Sequence, residues 1–198
     1  MSAPTYPIRT ARLTLRPVRS DDLDDVYAYQ RRPDVTRWMR GAGPRTREQS
    51  RASVLAMTGE DALRVEGDCL TVAVVEQTGV IGHVELVWRS EADRTAELGF
   101  VVHPDHGGRG LATEAAAAVV DWGFTEFGLH RVYGRCHARN DASARLMMRL
   151  GMRQEARHVA SYLFEGEWAD QLVFAVLDDE WRSREPVDPR VGLRWSID

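Results

Sequence analysis

The chain has 198 residues, of which 43% are hydrophobic and 28% charged, values that fit one folded domain with a sizeable core. Its 26 lysine and arginine residues against 30 aspartate and glutamate residues give a formal net charge of −4, which disfavours general binding to nucleic acid. No apolar run reaches the ~18 residues of a membrane span and no signal peptide precedes the first strand, so we expect a cytoplasmic protein without a membrane partner.

The cysteine and histidine content indicates a reducing compartment and no metal. Cys69 and Cys136 are far apart in the sequence, which fits two free thiols that serve as small apolar residues in a reducing compartment. His103 and His106 lie close together, but the sequence offers no evident third ligand. We therefore expect the two histidines to be polar loop groups.

The N-terminal part predicts a strand followed by helices. Residues 12–19 alternate apolar and polar side chains, as a strand does. Ser20 is a candidate helix N-cap, and Pro33 is expected to stop this helix. Gly41–Pro44 predicts a loop, and Thr46 begins a capping box that opens a second helix.

The rest of the chain alternates strands and helices. Residues 69–76 and 80–88 are rich in valine and predict a hairpin around the turn 77–79. The later patterns predict a strand at 94–102, a helix at 111–127, a strand at 131–137, a helix at 142–150 and strands at 155–164 and 170–177. This order favours one α+β domain with a central mixed sheet.

A glycine-rich loop joins the strand that ends at Val102 to the helix that follows. Gly107, Gly108 and Gly110 allow backbone N–H groups to approach an anion closely. The start of the helix adds unpaired N–H groups and a positive dipole end. Arg109 is expected to add a positive charge, so the loop predicts a pyrophosphate site.

Two other phosphate-binding loops fit less well. A P-loop needs lysine and then serine or threonine at its end, but Gly110 is followed by Leu111. A dinucleotide-binding loop has the pattern Gly-x-Gly-x-x-Gly early in the chain. Here Gly108 and Gly110 supply the first two glycines, but Thr113 occupies the third position and the loop lies late in the chain. A plain turn without ligand is the remaining alternative, which the neighbouring motifs disfavour.

The loop resembles the acyl-CoA motif of the GNAT superfamily of acetyltransferases, written Gln/Arg-x-x-Gly-x-Gly/Ala. Gly107 takes the first position, where it departs from the usual residue, and Gly110 and Ala112 complete the motif. Further similarity covers about residues 10–180. The runs Gly128–Val132, Arg139–Ser143 and Arg149–Met152 resemble the ribosomal-protein-alanine acetyltransferase branch.

This resemblance implies a fold and a reaction. The fold would be a central mixed, mostly antiparallel twisted sheet with helices on both faces, over residues 8–182, followed by a C-terminal tail at 183–198. The reaction would move an acetyl group from acetyl-CoA to a primary amine, such as a protein N-terminal α-amine. A small-molecule amine (a polyamine or an antibiotic), a succinyl donor and a non-catalytic acyl-CoA-binding module stay open. A homodimer through a late strand or the tail is compatible with the sequence.

The resemblance also implies the cofactor-binding residues. Backbone groups of the strand before the loop would pair with the pantetheine arm, and the loop would contact the pyrophosphate. Asn140 would orient the cofactor or a water, or cap the next helix. The full set is Phe100, Val101, Val102, Gly107, Gly108, Arg109, Gly110, Leu111, Ala112, Thr113, Asn140 and Ser143.

Transfer of an acyl group to an amine needs a neutral amine, a stabilised oxyanion and a protonated thiol. Glu97 and Glu85 on central strands are the candidate bases, although such carboxylates are more often structural. Backbone N–H groups near Val102 would serve the oxyanion. Ser143, three residues after Asn140, would donate to the departing thiol or cap the helix.

Several other side chains are weaker candidates for this chemistry. His137 and Tyr162 are further candidate bases, and Cys136 is a candidate acyl-carrying nucleophile, although a buried apolar role suits Cys136 better. An acceptor pocket would need apolar walls. Its candidate aromatic residues are Trp38, Trp88 and Trp168.

Overall fold

The protein is represented by a computed structural model that describes residues 2–39, 43–77 and 79–184. The strands are β1 (Ile8–Arg9), β2 (Thr14–Pro17), β3 (Cys69–Glu76), β4 (Gly79–Ser90), β5 (Thr95–Val102), β6 (Arg131–His137), β7 (Arg153–Phe164) and β8 (Glu167–Leu177). The helices are α1 (Leu23–Gln30), α2 (Pro33–Thr36), α3 (Arg47–Met57), α4 (Leu111–Thr125), α5 (Asp141–Arg149) and α6 (Asp178–Ser183).

All the strands belong to one sheet in the order β1-β2-β3-β4-β5-β6-β8-β7. Every neighbouring pair is antiparallel except β5 with β6, which is parallel. This arrangement, with helices on both faces, confirms the predicted α+β fold. None of the helices in the described ranges is long and apolar enough to cross a membrane.

Each face of the sheet has its own apolar core. The alanine-rich helix α4 packs against one face with nine of its 15 residues buried, and α5 and Trp181 of α6 pack on the same face. On the other face α1 and α3 pack through a smaller cluster around Val26, Tyr29 and Val54. The sheet therefore separates α4 and α5 from α1 and α3.

The helix after β2 begins differently from the prediction. Ser20 is not an N-cap: it lies in a 3-10 turn, Ser20–Asp22, that precedes α1. The Asp22 carboxylate accepts the Arg19 N–H at 2.8 Å and is bound by Arg16 at 2.6 Å, so it caps the 3-10 turn, whereas α1 has no side-chain cap of its own. Pro33 does more than stop the helix, because it is the first residue of α2, where its missing N–H costs nothing.

The other predicted elements are confirmed within a few residues of their bounds, and the Thr46 capping box is present. The sequence patterns missed β1, α2 and the C-terminal helix α6. The predicted loop residues Gly41 and Ala42, the turn residue Thr78 and most of the predicted tail, 185–198, lie outside the described residues.

Candidate active site

The parallel strands β5 and β6 separate in the middle of the sheet. They pair only from Thr95–Arg131 to Glu97–Tyr133, after which β5 stays with β4 and β6 stays with β8. Met147 of α5 packs at this level, and a Cβ added to Gly134 would lie 2.6 Å from its sulfur. The separation leaves one edge of β5 without a strand partner, and this edge includes the backbone near Val102 that is expected to serve the oxyanion.

A cavity of about 840 Å³ occupies the gap. It is lined from one face of the sheet by Val35 and Trp38 and from the other by Leu111 and Met147. The gap thus connects the two faces of the sheet. The predicted cofactor residues that line it are Phe100, Val101, Val102, Gly107, Gly108, Gly110, Leu111, Ala112, Thr113, Asn140 and Ser143.

The glycine-rich loop has the backbone that an anion site needs. Gly108 and Gly110 have φ values of +73° and +76°, and Gly110 is the N-cap of α4. Gly107 has an ordinary φ of −69°, but a Cβ there would lie 2.8 Å from the Pro104 carbonyl oxygen. A larger residue at Gly107 would therefore require the backbone near Pro104 to shift.

Arg109 does not take the role that the sequence predicted. Its guanidinium binds the Glu76 carboxylate at 2.6 and 3.0 Å, and His106 approaches the same carboxylate at 2.7 Å. Hydrogen bonds from Arg109 and then His106 lower the pKa of Glu76. Arg109 is therefore the one residue between Gly107 and Thr113 that does not line the cavity, and its charge is neutralised on the outside of the loop.

The start of α4 is fixed from the same side. Arg12 donates to the Glu114 carboxylate at 2.7 Å and to the Arg109 carbonyl oxygen at 2.8 Å. Thr10 donates to the same carboxylate at 2.6 Å. These contacts hold the loop and the first turn of α4 in place independently of any ligand.

Helix α5 supplies the opposite wall. The Asn140 side-chain oxygen accepts the Ser143 N–H at 3.2 Å, so Asn140 is the cap and Ser143 is the capped residue. The capping alternative for Ser143 is thus wrong, and its half-buried hydroxyl group lies at the cavity wall. Arg145 and Arg149, which no sequence motif marks, also line the cavity and are exposed.

Trp38 forms the wall on the α2 side. It contacts the rings of His137 and Phe164 at centroid distances of 4.7 and 6.4 Å, and the guanidinium groups of Arg37 and Arg139 lie 4.5 and 5.9 Å from its ring. The other two predicted wall residues are elsewhere. Trp88 packs on Phe127, and Trp168 is 70% exposed on β8.

His137 does not fit the predicted role of a base. Its Nδ1 accepts the Arg139 backbone N–H at 3.0 Å, so the neutral ring carries its proton on Nε2. Burial, followed by the charge of Arg139, lowers the pKa of His137. A neutral imidazole whose remaining nitrogen is protonated is a donor and not a base. Tyr162 lines an adjoining cavity of about 270 Å³ together with His137.

Glu97 is enclosed by basic side chains. Its carboxylate accepts hydrogen bonds from Arg89 at 2.9 Å and from Arg135 at 2.8 and 2.9 Å. Burial acts to raise the pKa of Glu97, but the hydrogen bonds and charges of Arg135 and Arg89 outweigh it and lower the pKa. Because its oxygens are occupied and its basicity is reduced, these contacts disfavour Glu97 as a general base.

Glu85 is the more accessible of the two candidate carboxylates. It pairs with Gly99 across the strands, and a Cβ added to Gly99 would lie 3.1 Å from Glu85 Oε2. The His83 hydrogen bond lowers the pKa of Glu85, in opposition to burial. The Glu85 side chain is 37% exposed and ionised; it lines neither cavity itself, but its strand partner Gly99 lines the larger one.

Cys136 lines the cavity as a buried thiol. It is 7% exposed, and desolvation raises its pKa to about 11. At neutral pH almost none of it is the nucleophilic thiolate. The described part of the chain contains no group of three histidine, cysteine, aspartate or glutamate residues that could hold a metal ion.

Residues 12–153 match the family described as the acetyltransferase (GNAT) domain, so the chain belongs to the GNAT acetyltransferase family. It is similar to YnaD of Bacillus subtilis, an uncharacterized N-acetyltransferase, with 31% identity over 174 residues, 88% of this chain and 98% of YnaD. It is also similar to the spermidine N(1)-acetyltransferase of Escherichia coli K12, with 27% identity over 100 residues, 50% of this chain and 54% of that protein. Mycobacterium smegmatis RimJ, solved in complex with CoA-disulfide, superposes with a TM-score of 0.74 and 25% identity, over 85% of this chain and 83% of that one.

Proposed function

We propose that the protein transfers an acetyl group from acetyl-CoA to the α-amine of a protein or peptide N-terminus, by direct attack of the amine. The observation that carries this proposal is the gap between β5 and β6, which joins the anion-binding loop on one face of the sheet to Trp38 on the other. Two molecules entering from opposite faces would meet beside the free edge of β5.

The residues of the α4 side suit coenzyme A. The loop N–H groups and the start of α4 match a pyrophosphate, and the free edge of β5 can pair with the amides of pantetheine as an added strand would. Arg145 and Arg149 add positive charge along the same wall, where Arg109 adds none. Acetyl-CoA, when bound, supplies an activated acyl group on a thiol leaving group.

The chain's own residues then have three tasks. Backbone N–H groups on the unpaired edge of β5 would hold the acyl oxygen. The Ser143 hydroxyl at the cavity wall would donate a hydrogen bond to the departing sulfur. Glu85, rather than Glu97, would bind the incoming ammonium group and take one of its protons, because one of its oxygens is open beside Gly99. The neutral amine would then attack the acyl carbon, and the second proton of the nitrogen would pass to the departing thiolate as the carbon–sulfur bond breaks.

Charge favours an α-amine over a polyamine as the acceptor. The α2 side carries the guanidinium groups of Arg37 and Arg139 against Trp38, and Glu97 is already neutralised by Arg135. A polyamine would bring two or more positive charges into this region, whereas a peptide N-terminus brings one. The second candidate, a small polyamine, has the similarity to the spermidine acetyltransferase in its favour.

A thiol-release assay tests the proposal directly. Acetyl-CoA and succinyl-CoA are compared as donors against peptides with free N-termini, matched peptides with blocked N-termini, and spermidine. We expect turnover with acetyl-CoA and only the free peptides. Preferred turnover of spermidine would favour the second candidate. Acetyl-CoA binding without turnover on any acceptor would favour the non-catalytic module.

A further inference from the structure

Two buried polar side chains lie between Glu85 and the apolar core under α1. Tyr29 of α1 and His83 of β4 are 0% and 4% exposed, within the apolar cluster between α1 and the sheet. The Tyr29 hydroxyl lies 2.9 Å from His83 Nδ1, and His83 Nε2 lies 3.2 Å from Glu85 Oε1. A chain of polar contacts therefore runs from the core to the carboxylate: a hydrogen bond between Tyr29 and His83, followed by an imidazole–carboxylate pair between His83 and Glu85.

The direction of these hydrogen bonds follows from the chemistry of the groups. A carboxylate only accepts, so His83 Nε2 carries the proton that Glu85 accepts. In the neutral ring Nδ1 is then an acceptor, and the Tyr29 O–H donates to it. Burial raises the pKa of Tyr29 far above its usual value, so the hydroxyl keeps its proton. Tyr29 thus selects the tautomer of His83 that binds Glu85.

The position of Glu85 suggests a function for the contacts between Tyr29, His83 and Glu85. Its partner Gly99 lies two residues beyond Glu97, where β5 last pairs with β6, and the backbone of Gly99 lines the cavity. Oε1 is engaged by His83, while no described residue forms a hydrogen bond with Oε2, which lies on the side of Gly99.

We propose that Tyr29 and His83 are positioning residues that hold Glu85 so that Oε2 receives the ammonium group of the acceptor. The inference rests on the proposed function, since it needs an amine acceptor. His83 fixes the rotamer of Glu85 through Oε1, and Tyr29 fixes the orientation and tautomer of His83. The acceptor amine is thereby oriented at the point where β5 leaves β6.

The test compares two replacements of His83. Leu removes the donor to Glu85, whereas Gln keeps an N–H group at a similar reach. Because a hydrogen bond to a charged group is lost, we expect His83→Leu to lower kcat/KM for the amine about tenfold or more, with the KM for acetyl-CoA within about twofold of the wild-type value. His83→Gln should recover most of that loss. Glu85→Gln should be at least as impaired as His83→Leu.

His130→Gln is the matched control, because His130 Nδ1 lies 3.0 Å from the Asp178 carboxylate in a histidine–carboxylate pair that lines neither cavity. It should leave kcat/KM unchanged. Equal losses in His83→Leu and His83→Gln, or a fall in melting temperature with unchanged kcat/KM, would overturn the inference. If His83→Leu does not fold, Tyr29→Phe gives the same comparison, with an expected loss of about threefold to tenfold.

A measurement without turnover separates this inference from the proposed function. Nitrogen-15 NMR of the His83 ring should show the Nε2–H tautomer in the wild type and a mixture in Tyr29→Phe. The mixture, together with a loss in His83→Leu that is measured with spermidine because no peptide is acetylated, would refute the proposed acceptor alone. Inactivity on every amine would refute both the proposed function and the role of Glu85. A ring with its proton on Nδ1 in the wild type would refute the positioning chain even in an active enzyme.

Discussion

Replacement of Gly110, compared with replacement of Gly128, distinguishes the effect of backbone strain on stability from the effect of a lost pyrophosphate contact on the affinity for coenzyme A. Gly110 precedes α4 with φ +76°, and Gly128 follows α4 with φ +82°. An L-residue in this region costs roughly 1–2 kcal/mol. For a chain of this length the melting temperature should fall by about 2–8 °C in either Gly110→Ala or Gly128→Ala. Gly128 is a suitable control, because nothing lies within 4 Å of a Cβ added there.

Only the Gly110 variants should weaken the binding of coenzyme A. If alanine moves Gly110 out of its left-handed conformation, the first N–H groups of α4 turn away from the anion. The loss of one hydrogen bond to a charged group, about 1.5–3 kcal/mol, raises Kd about tenfold to a hundredfold. Gly110→Asp also adds a negative charge, which at ~4 Å and an effective dielectric constant of ~20 costs about 4 kcal/mol before screening.

Isothermal titration with coenzyme A, paired with thermal unfolding of the same samples, measures both effects. We expect the order wild type, Gly128→Ala, Gly110→Ala and Gly110→Asp for decreasing affinity, with the first two nearly equal. Equal affinities in Gly110→Ala and Gly128→Ala would refute the argument that the start of α4 binds the pyrophosphate.

Two further substitutions test the chemistry of the cavity wall. Ser143→Ala should lower kcat at least about tenfold with little change in acetyl-CoA affinity or melting temperature, because Asn140 and not Ser143 caps α5; normal kcat with reduced stability would contradict this role. Cys136→Ala should retain turnover, and mass spectrometry of the wild type with acetyl-CoA alone should find no acyl adduct, since desolvation raises the pKa of this thiol to about 11; loss of turnover together with an adduct on Cys136 would show transfer through the cysteine.

The local features of the site could be predicted from the sequence. Gly108 and Gly110 have the positive φ values that make glycine necessary there, and a helix follows at once. Asn140 lies at the start of α5, as the pattern of that helix indicates. These features depend on residues a few positions apart, whose geometry the backbone determines.

The pairing of charged side chains could not be predicted, because it depends on the register of distant strands. Glu97 is neutralised by Arg135, which follows it by 38 positions, and Arg109 is drawn away from the cavity by Glu76. Tyr29 and His83 are 54 positions apart, and each alone is an ordinary core residue. A possible signal was the alternation of His83 and Glu85 on β4, which places both on one face of the sheet.

The connection between the two faces of the sheet also has a consequence for the order of events. A cavity lined from the α4 side and from the Trp38 side gives each substrate its own route, so neither has to leave before the other arrives. Both would be present together at the moment of transfer, in a ternary complex. Free coenzyme A could then leave along one route while the acylated product leaves along the other.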